Sequence, residues 1–63
     1  MSSRVLVVDD STLMRRMISD TLTAVGWDVV GEAADGLEAV EKYQQLRPDA
    51  VTMDIVMPGA SGL

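Results

Sequence analysis

Cysteine and histidine are both absent from this 63-residue chain. Without cysteine there is no disulfide and no thiolate metal site. Without histidine the chain lacks the commonest general base and metal ligand, so its chemistry is left to oxygen. Basic residues are scarce: five Lys and Arg stand against ten Asp and Glu, a formal net charge of -5. That balance argues against nucleic acid and against an anionic membrane as direct partners. Long apolar runs are missing too, and the longest falls far short of the roughly 18 residues of a membrane span. Met1-Ser2-Ser3-Arg4 lacks the apolar core and cleavage site of a secretion signal. The expectation is a cytoplasmic protein of one domain, residues 1–63. Chains this short bury only about 60% of their extended-chain surface and are marginal without partners.

What is present is organised around two acidic strand ends. Val5-Leu6-Val7-Val8 runs into Asp9-Asp10, and Ala50-Val51-Thr52-Met53 runs into Asp54, followed by Ile55-Val56-Met57-Pro58. Arg4 to Val8 is a run rich in β-branched valine and apolar from Val5 onward, the pattern of a strand buried on both faces. Asp10-Ser11 is suited to cap a helix. Within that helix Met14, Met17, Ile18, Thr21, Leu22 and Val25 form one apolar stripe, leaving Arg15, Arg16, Ser19, Asp20 and Thr23 for water. Gly26 is the stop signal. Asp28 to Ala33 is a second, less apolar strand suited to a sheet edge. Asp35-Gly36 opens a second helix, with Asp35 and Glu38 spaced as a capping box. Leu37, Val40, Tyr43 and Leu46 are expected inside, with Glu38 and Lys42 paired outside. Pro48 ends this helix and pushes Arg47 out of the helical region. Ala50 to Ile55 is the third strand, and Met57 to Leu63 has loop chemistry.

The order β-α-β-α-β with short connections implies a parallel sheet with right-handed crossovers. Spatial order 1-2-3 would separate the two acidic ends by the second strand. Order 2-1-3 makes them neighbours, and it suits a second strand less apolar than the other two. It also creates a topological switch point, where open α/β sheets bind ligands. Three acids gathered there repel one another, and a hard divalent cation relieves the conflict. An oxygen-only site selects Mg²⁺ or Mn²⁺ over Zn²⁺. Asp54, alone at its strand end, is the better nucleophile candidate, since aspartate attacks phosphorus in aspartyl-phosphate chemistry. Asp9 and Asp10 are the better metal holders. The blander reading, that these acids only cap turns and helices, suits one Asp better than three.

Val7-Val8-Asp9-Asp10-Ser11, Gly31-Glu32-Ala33 with Asp35-Gly36, and Asp49 through Pro58 together resemble the receiver domain of bacterial response regulators, most closely its chemotaxis, CheY-like group. The resemblance runs from Arg4 to Leu63. It implies the first half of a doubly wound, flavodoxin-like parallel sheet of order 2-1-3-4-5. It further implies that Asp54 is the phospho-acceptor for a sensor histidine kinase in a phosphorelay. Mg²⁺ would be held by Asp10, Asp54 and the Val56 carbonyl, with Asp9 orienting the metal through water. Met57-Pro58 and Gly62 would shape the loop over the site.

The family also uses a Ser or Thr after the fourth strand and a Lys after the fifth. Neither position falls within these residues, and Lys42 on an outward helix face and Thr52 in mid-strand are poor substitutes. Switching is therefore expected to be impaired. The third strand, central in the family, is expected to be an edge that pairs with a second copy, a homodimer through Ala50 to Ile55. Two other readings stand beside the receiver. One is a truncated or designed half-domain acting only as a β-edge dimerisation module; the other is a Mg²⁺-dependent phosphotransferase. Arg15 and Arg16 read as a solvated helix face, Trp27 as packing over the end of the first helix, and Met14 and Met17 as core filler. Gly26, Gly31 and Gly36 do not have dinucleotide-fingerprint spacing.

Overall fold

A computed structural model of the chain describes residues 3–54. Five elements follow one another: β1 (Arg4–Asp9), α1 (Thr12–Ala24), β2 (Asp28–Ala33), α2 (Gly36–Leu46) and β3 (Ala50–Asp54). The three strands form one parallel sheet in the order β2-β1-β3. The expected order 2-1-3 is thus the observed one. Ile55, expected in the third strand, lies outside the described residues.

Placing β1 in the middle explains its composition. Val5, Leu6, Val7 and Val8 are all 0% exposed, as a strand covered on both faces requires. Leu6 and Val8 pack with Ala33 of β2 and Ala39 of α2. The β1–β2 register slips once: Val5 pairs with Val29 but Leu6 with Gly31, leaving Val30 as an extra residue. At Gly31 an added Cβ would meet Leu46 Cδ1 at 2.7 Å, so the missing side chain lets α2 lie close to β2.

Both helices are capped by the residues their sequences offered. Ser11 Oγ accepts the Met14 amide at 3.3 Å, and Asp35 Oδ1 accepts the Glu38 amide at 2.8 Å. The reciprocal arm of the second cap differs from expectation, because Glu38 Oε1 accepts the Ala34 amide at 2.7 Å rather than that of Asp35. At the end of α1, Gly26 takes φ 101°, and Trp27 N and Gly26 N donate back to Leu22 O and Thr23 O. This is the left-handed closure that glycine permits without strain. Trp27 is half-buried there. Arg47 leaves the right-handed region ahead of Pro48 with φ 49°.

The helix phases depart from expectation. No residue of α1 is fully buried; Met14, Met17 and Val25 are exposed, while Arg15, Ile18, Ser19 and Leu22 are half-buried. The face turned inward therefore includes two residues assigned to water. In α2 the buried residue is Ala39, with Leu46 half-covered, whereas Leu37, Val40 and Tyr43 are exposed. One physical reason covers both helices. Each packs on β1 and β2, and neither packs on β3. Apolar side chains on the β3 side are consequently left uncovered by any helix or strand among the described residues. Among the described residues no helix is long and apolar enough to cross a membrane.

Candidate functional site

Parallel strands share a direction, so the acidic ends of β1 and β3 lie at the same edge of the sheet. Asp9 is the last residue of β1, Asp54 the last of β3, and the two are register partners. Adjacent strands run about 4.8 Å apart. Asp10 follows in the turn between β1 and α1 and is exposed, as is Asp54. Asp9 is only 2% exposed. Its Oδ1 accepts the Ser11 amide at 2.9 Å, while its Oδ2 is buried without a partner. A buried carboxylate oxygen without a hydrogen bond is costly, and its presence needs an explanation.

The sheet order thus brings together the three acids singled out in the sequence at one strand edge, but it does not close them into a cage. Among the described residues no three acidic, histidine or cysteine side chains converge on a point fit for one metal ion. Val56, expected to lend its carbonyl, lies outside the described residues, as do Met57, Pro58 and Gly62. The donors present do fit Mg²⁺. That ion takes one or two carboxylates and keeps water for its other positions, and the orphaned Asp9 Oδ2 is an oxygen of the required kind.

One residue at this edge was missed by sequence reasoning. Arg15, expected on a solvated face, lies beside Asp9 on the β2 side of the site, with its side chain 16% exposed. Its Nη1 donates to the Asp9 carbonyl at 2.7 Å and its Nη2 to Thr12 Oγ1 at 3.2 Å. Its Nε stands 3.4 Å from Glu32 Oε1 on β2. The signal was available: Arg15 lies three and seven residues before Ile18 and Leu22, on the same side of the helix. The two possible stand-ins for family residues are engaged elsewhere. Lys42 Nζ donates to the Glu32 carbonyl and pairs with Glu38 Oε2 at 3.5 Å. Thr52 is opposite Val7 in mid-strand, its Oγ1 buried.

A different feature lies between the second helix and the third strand. It is an open groove of about 440 Å³, lined by Leu6, Val40, Tyr43, Arg47, Val51 and Met53 among others. It is apolar, and it is distinct from the acidic edge.

A parallel α/β sheet of order 2-1-3, with acids at the carboxyl ends of its two neighbouring apolar strands, defines a class of proteins that bind at a topological switch point. Comparison with known proteins narrows the class. The family model of the response regulator receiver domain matches residues 5–63, and the chain belongs to that family. It is 56% identical, over its whole length, to the chemotaxis protein CheY of Thermotoga maritima, of which it covers 52%. It is 54% identical over 61 residues to a protein-glutamate methylesterase/protein-glutamine glutaminase of Myxococcus xanthus, covering 18% of that protein. The solved response regulator domain of Thermotoga maritima CheB superposes with a TM-score of 0.85 at 53% identity, over 94% of this chain and 45% of that one. The chain is a receiver of the CheY and CheB type, and it spans about half the length of the CheY relatives it matches.

Proposed function

We propose that this chain is a phosphoryl acceptor in chemotaxis-type two-component signalling, with Asp54 receiving the group from a sensor histidine kinase. The observation that carries this reading is the register of Asp9 with Asp54 across β1 and β3, in a chain of the receiver family. Asp9, Asp10, Asp54 and the Val56 carbonyl are the residues proposed to hold Mg²⁺. When bound, the ion supplies positive charge against the phosphoryl oxygens. The chain's own part is to present an Asp54 oxygen to phosphorus. A new O–P bond forms as the P–N bond to the kinase imidazole breaks, and the bonding pair leaves on that nitrogen. Nothing is then turned over, so the module signals rather than catalyses. Reading the phosphate out falls to neither Lys42 nor Thr52, which are committed to β2 and to the sheet interior.

The test is intact mass after incubation with Mg²⁺ and acetyl phosphate. A single phosphoryl adduct on the parent, absent from Asp54→Asn and after removal of Mg²⁺, is the expected result. A folded parent without any adduct would sink the reading. A second reading is favoured by the outer edge of β3, which has no strand partner among the described residues. On that reading a second copy adds its own β3 there, giving a dimer. Sedimentation across a dilution series distinguishes it, with a monodisperse folded monomer as the contrary outcome.

A further inference from the structure

We propose that Arg15 is a positioning residue for the acidic edge: its guanidinium fixes the Asp9–Asp10–Ser11 turn so that Asp9 and Asp10 are held ready for a divalent cation. The inference rests on the reading of the site as a Mg²⁺-dependent phosphoryl acceptor, and it assigns the part of that site which the carboxylates alone do not explain.

Every nitrogen of the guanidinium is engaged. Its three nitrogens reach three different elements of structure: the Asp9 carbonyl at the end of β1, the Thr12 hydroxyl at the start of α1, and the Glu32 carboxylate on β2. The planar fork of arginine makes such a three-way tie; the point charge of lysine does not. The position is also electrostatically contrary. A cation near the start of a helix opposes the helix dipole, and the first turn of α1 contains no acid to offset it. Local rules broken in this way gather at functional sites.

The geometry says what the tie achieves. The Asp9 carbonyl belongs to the peptide plane joining Asp9 to Asp10, so holding that oxygen sets the direction in which Asp10 leaves the strand. From the other side, Asp9 Oδ1 is held by the Ser11 amide. Both handles on Asp9 are therefore occupied, and the oxygen left over is the buried, unpartnered Oδ2. Glu32 in turn holds Arg15 from β2, the strand that carries no site acid.

Positioning and simple electrostatics predict opposite signs. If Arg15 acted only as a nearby positive charge, removing it would tighten cation binding. If it positions the turn, removing it loosens binding. Mg²⁺ affinity of the chain, measured by calorimetry for the parent, Arg15→Met, Arg15→Lys and Glu32→Gln, separates the two. Residues that orient metal ligands typically cost 10–100-fold in affinity when replaced, and a loss of about that size is expected for Arg15→Met. Arg15→Lys should lose nearly as much, and Glu32→Gln less. Hydrogen exchange without metal is the independent readout: the Ser11 amide should exchange faster in Arg15→Met while the β1 amides stay protected. Equal or tighter Mg²⁺ binding by Arg15→Met, or unchanged Ser11 exchange, overturns the proposal. Should Arg15→Met not fold, the Lys and Glu32→Gln variants decide by the same comparison. A parent that takes up no Mg²⁺ brings down the acceptor reading and this inference together; a parent that binds, with variants that bind equally, brings down this inference alone.

Discussion

The β2 flank and the β3 flank of this sheet both offer apolar side chains and end in different circumstances. On the β2 side, α1 and α2 lie over β1 and β2 from opposite faces, and Leu6, Val8, Ala33 and Ala39 close into a core. On the β3 side Val51 and Met53 are just as apolar, yet neither helix reaches them, and Met53 is 61% exposed. Hydrophobicity alone therefore does not decide burial; a strand is buried only where another element arrives to cover it. The acidic site lies on the seam between the two flanks, one carboxylate on the covered strand and one on the uncovered.

The strongest way to break that comparison is in the covered flank. Leu6→Ala should cost about 2–5 kcal/mol, enough to unfold a chain of this size, as read by loss of the far-UV signal or of a cooperative melt. Next comes the cap that starts α1 beside the site. Ser11→Ala removes the acceptor for the Met14 amide and should cost about 0.5–2 kcal/mol, measured by urea titration, with Ser11→Asp restoring it.

An acid-side effect sharpens the same contrast. The Glu38 carboxyl is held below its ordinary value, first by the Ala34 amide that donates to it and then by Lys42. A carboxyl depressed in the folded state contributes stability above its unfolded value and loses it as pH falls through the folded one. Stability should thus fall on acidification below the ordinary carboxylate range, and Glu38→Gln should flatten that part of the pH curve. The smallest effect is expected on the uncovered flank. Met53→Ala should change stability by about 0.5 kcal/mol or less, and an effect as large as that of Leu6→Ala would mean that β3 is covered in solution.

Much of the fold was legible because its signals are local. A valine-rich apolar run buried on both faces, a weaker strand containing Gly31 and Glu32, and two capped helices were enough to give the order 2-1-3. The edge holding Asp9, Asp10 and Asp54 followed from that order. The rotation of α1 was not legible, because the expected stripe was wider than the covered face: Ile18 and Leu22 are half-buried, while Met14, Met17 and Val25 of the same stripe are exposed. Arg15 was assigned to water for a related reason. Its side chain is largely covered while its head finds polar partners, and no count of apolar residues registers such a side chain. Leu37, Val40 and Tyr43 were expected inside since a helical stripe tells which residues share a side, not whether anything lies opposite. The slip at Val30 left no composition signal at all.

That slip has a consequence for parity. Along a regular strand, residues an even number apart share a side, so Val29, Gly31 and Ala33 would all face one way and Glu32 the other. Val29 is paired with Val5, whereas Glu32 is paired with Val7, and Val5 and Val7 look the same way. One uncounted residue has therefore exchanged odd for even halfway along β2. Were Val30 paired in the ladder instead of bulged out, Glu32 would be opposite Val8 and turned into the packed layer beside Ala39, and Gly31 would be turned toward α1. A single surplus valine decides whether a carboxylate meets an arginine or a hydrocarbon wall.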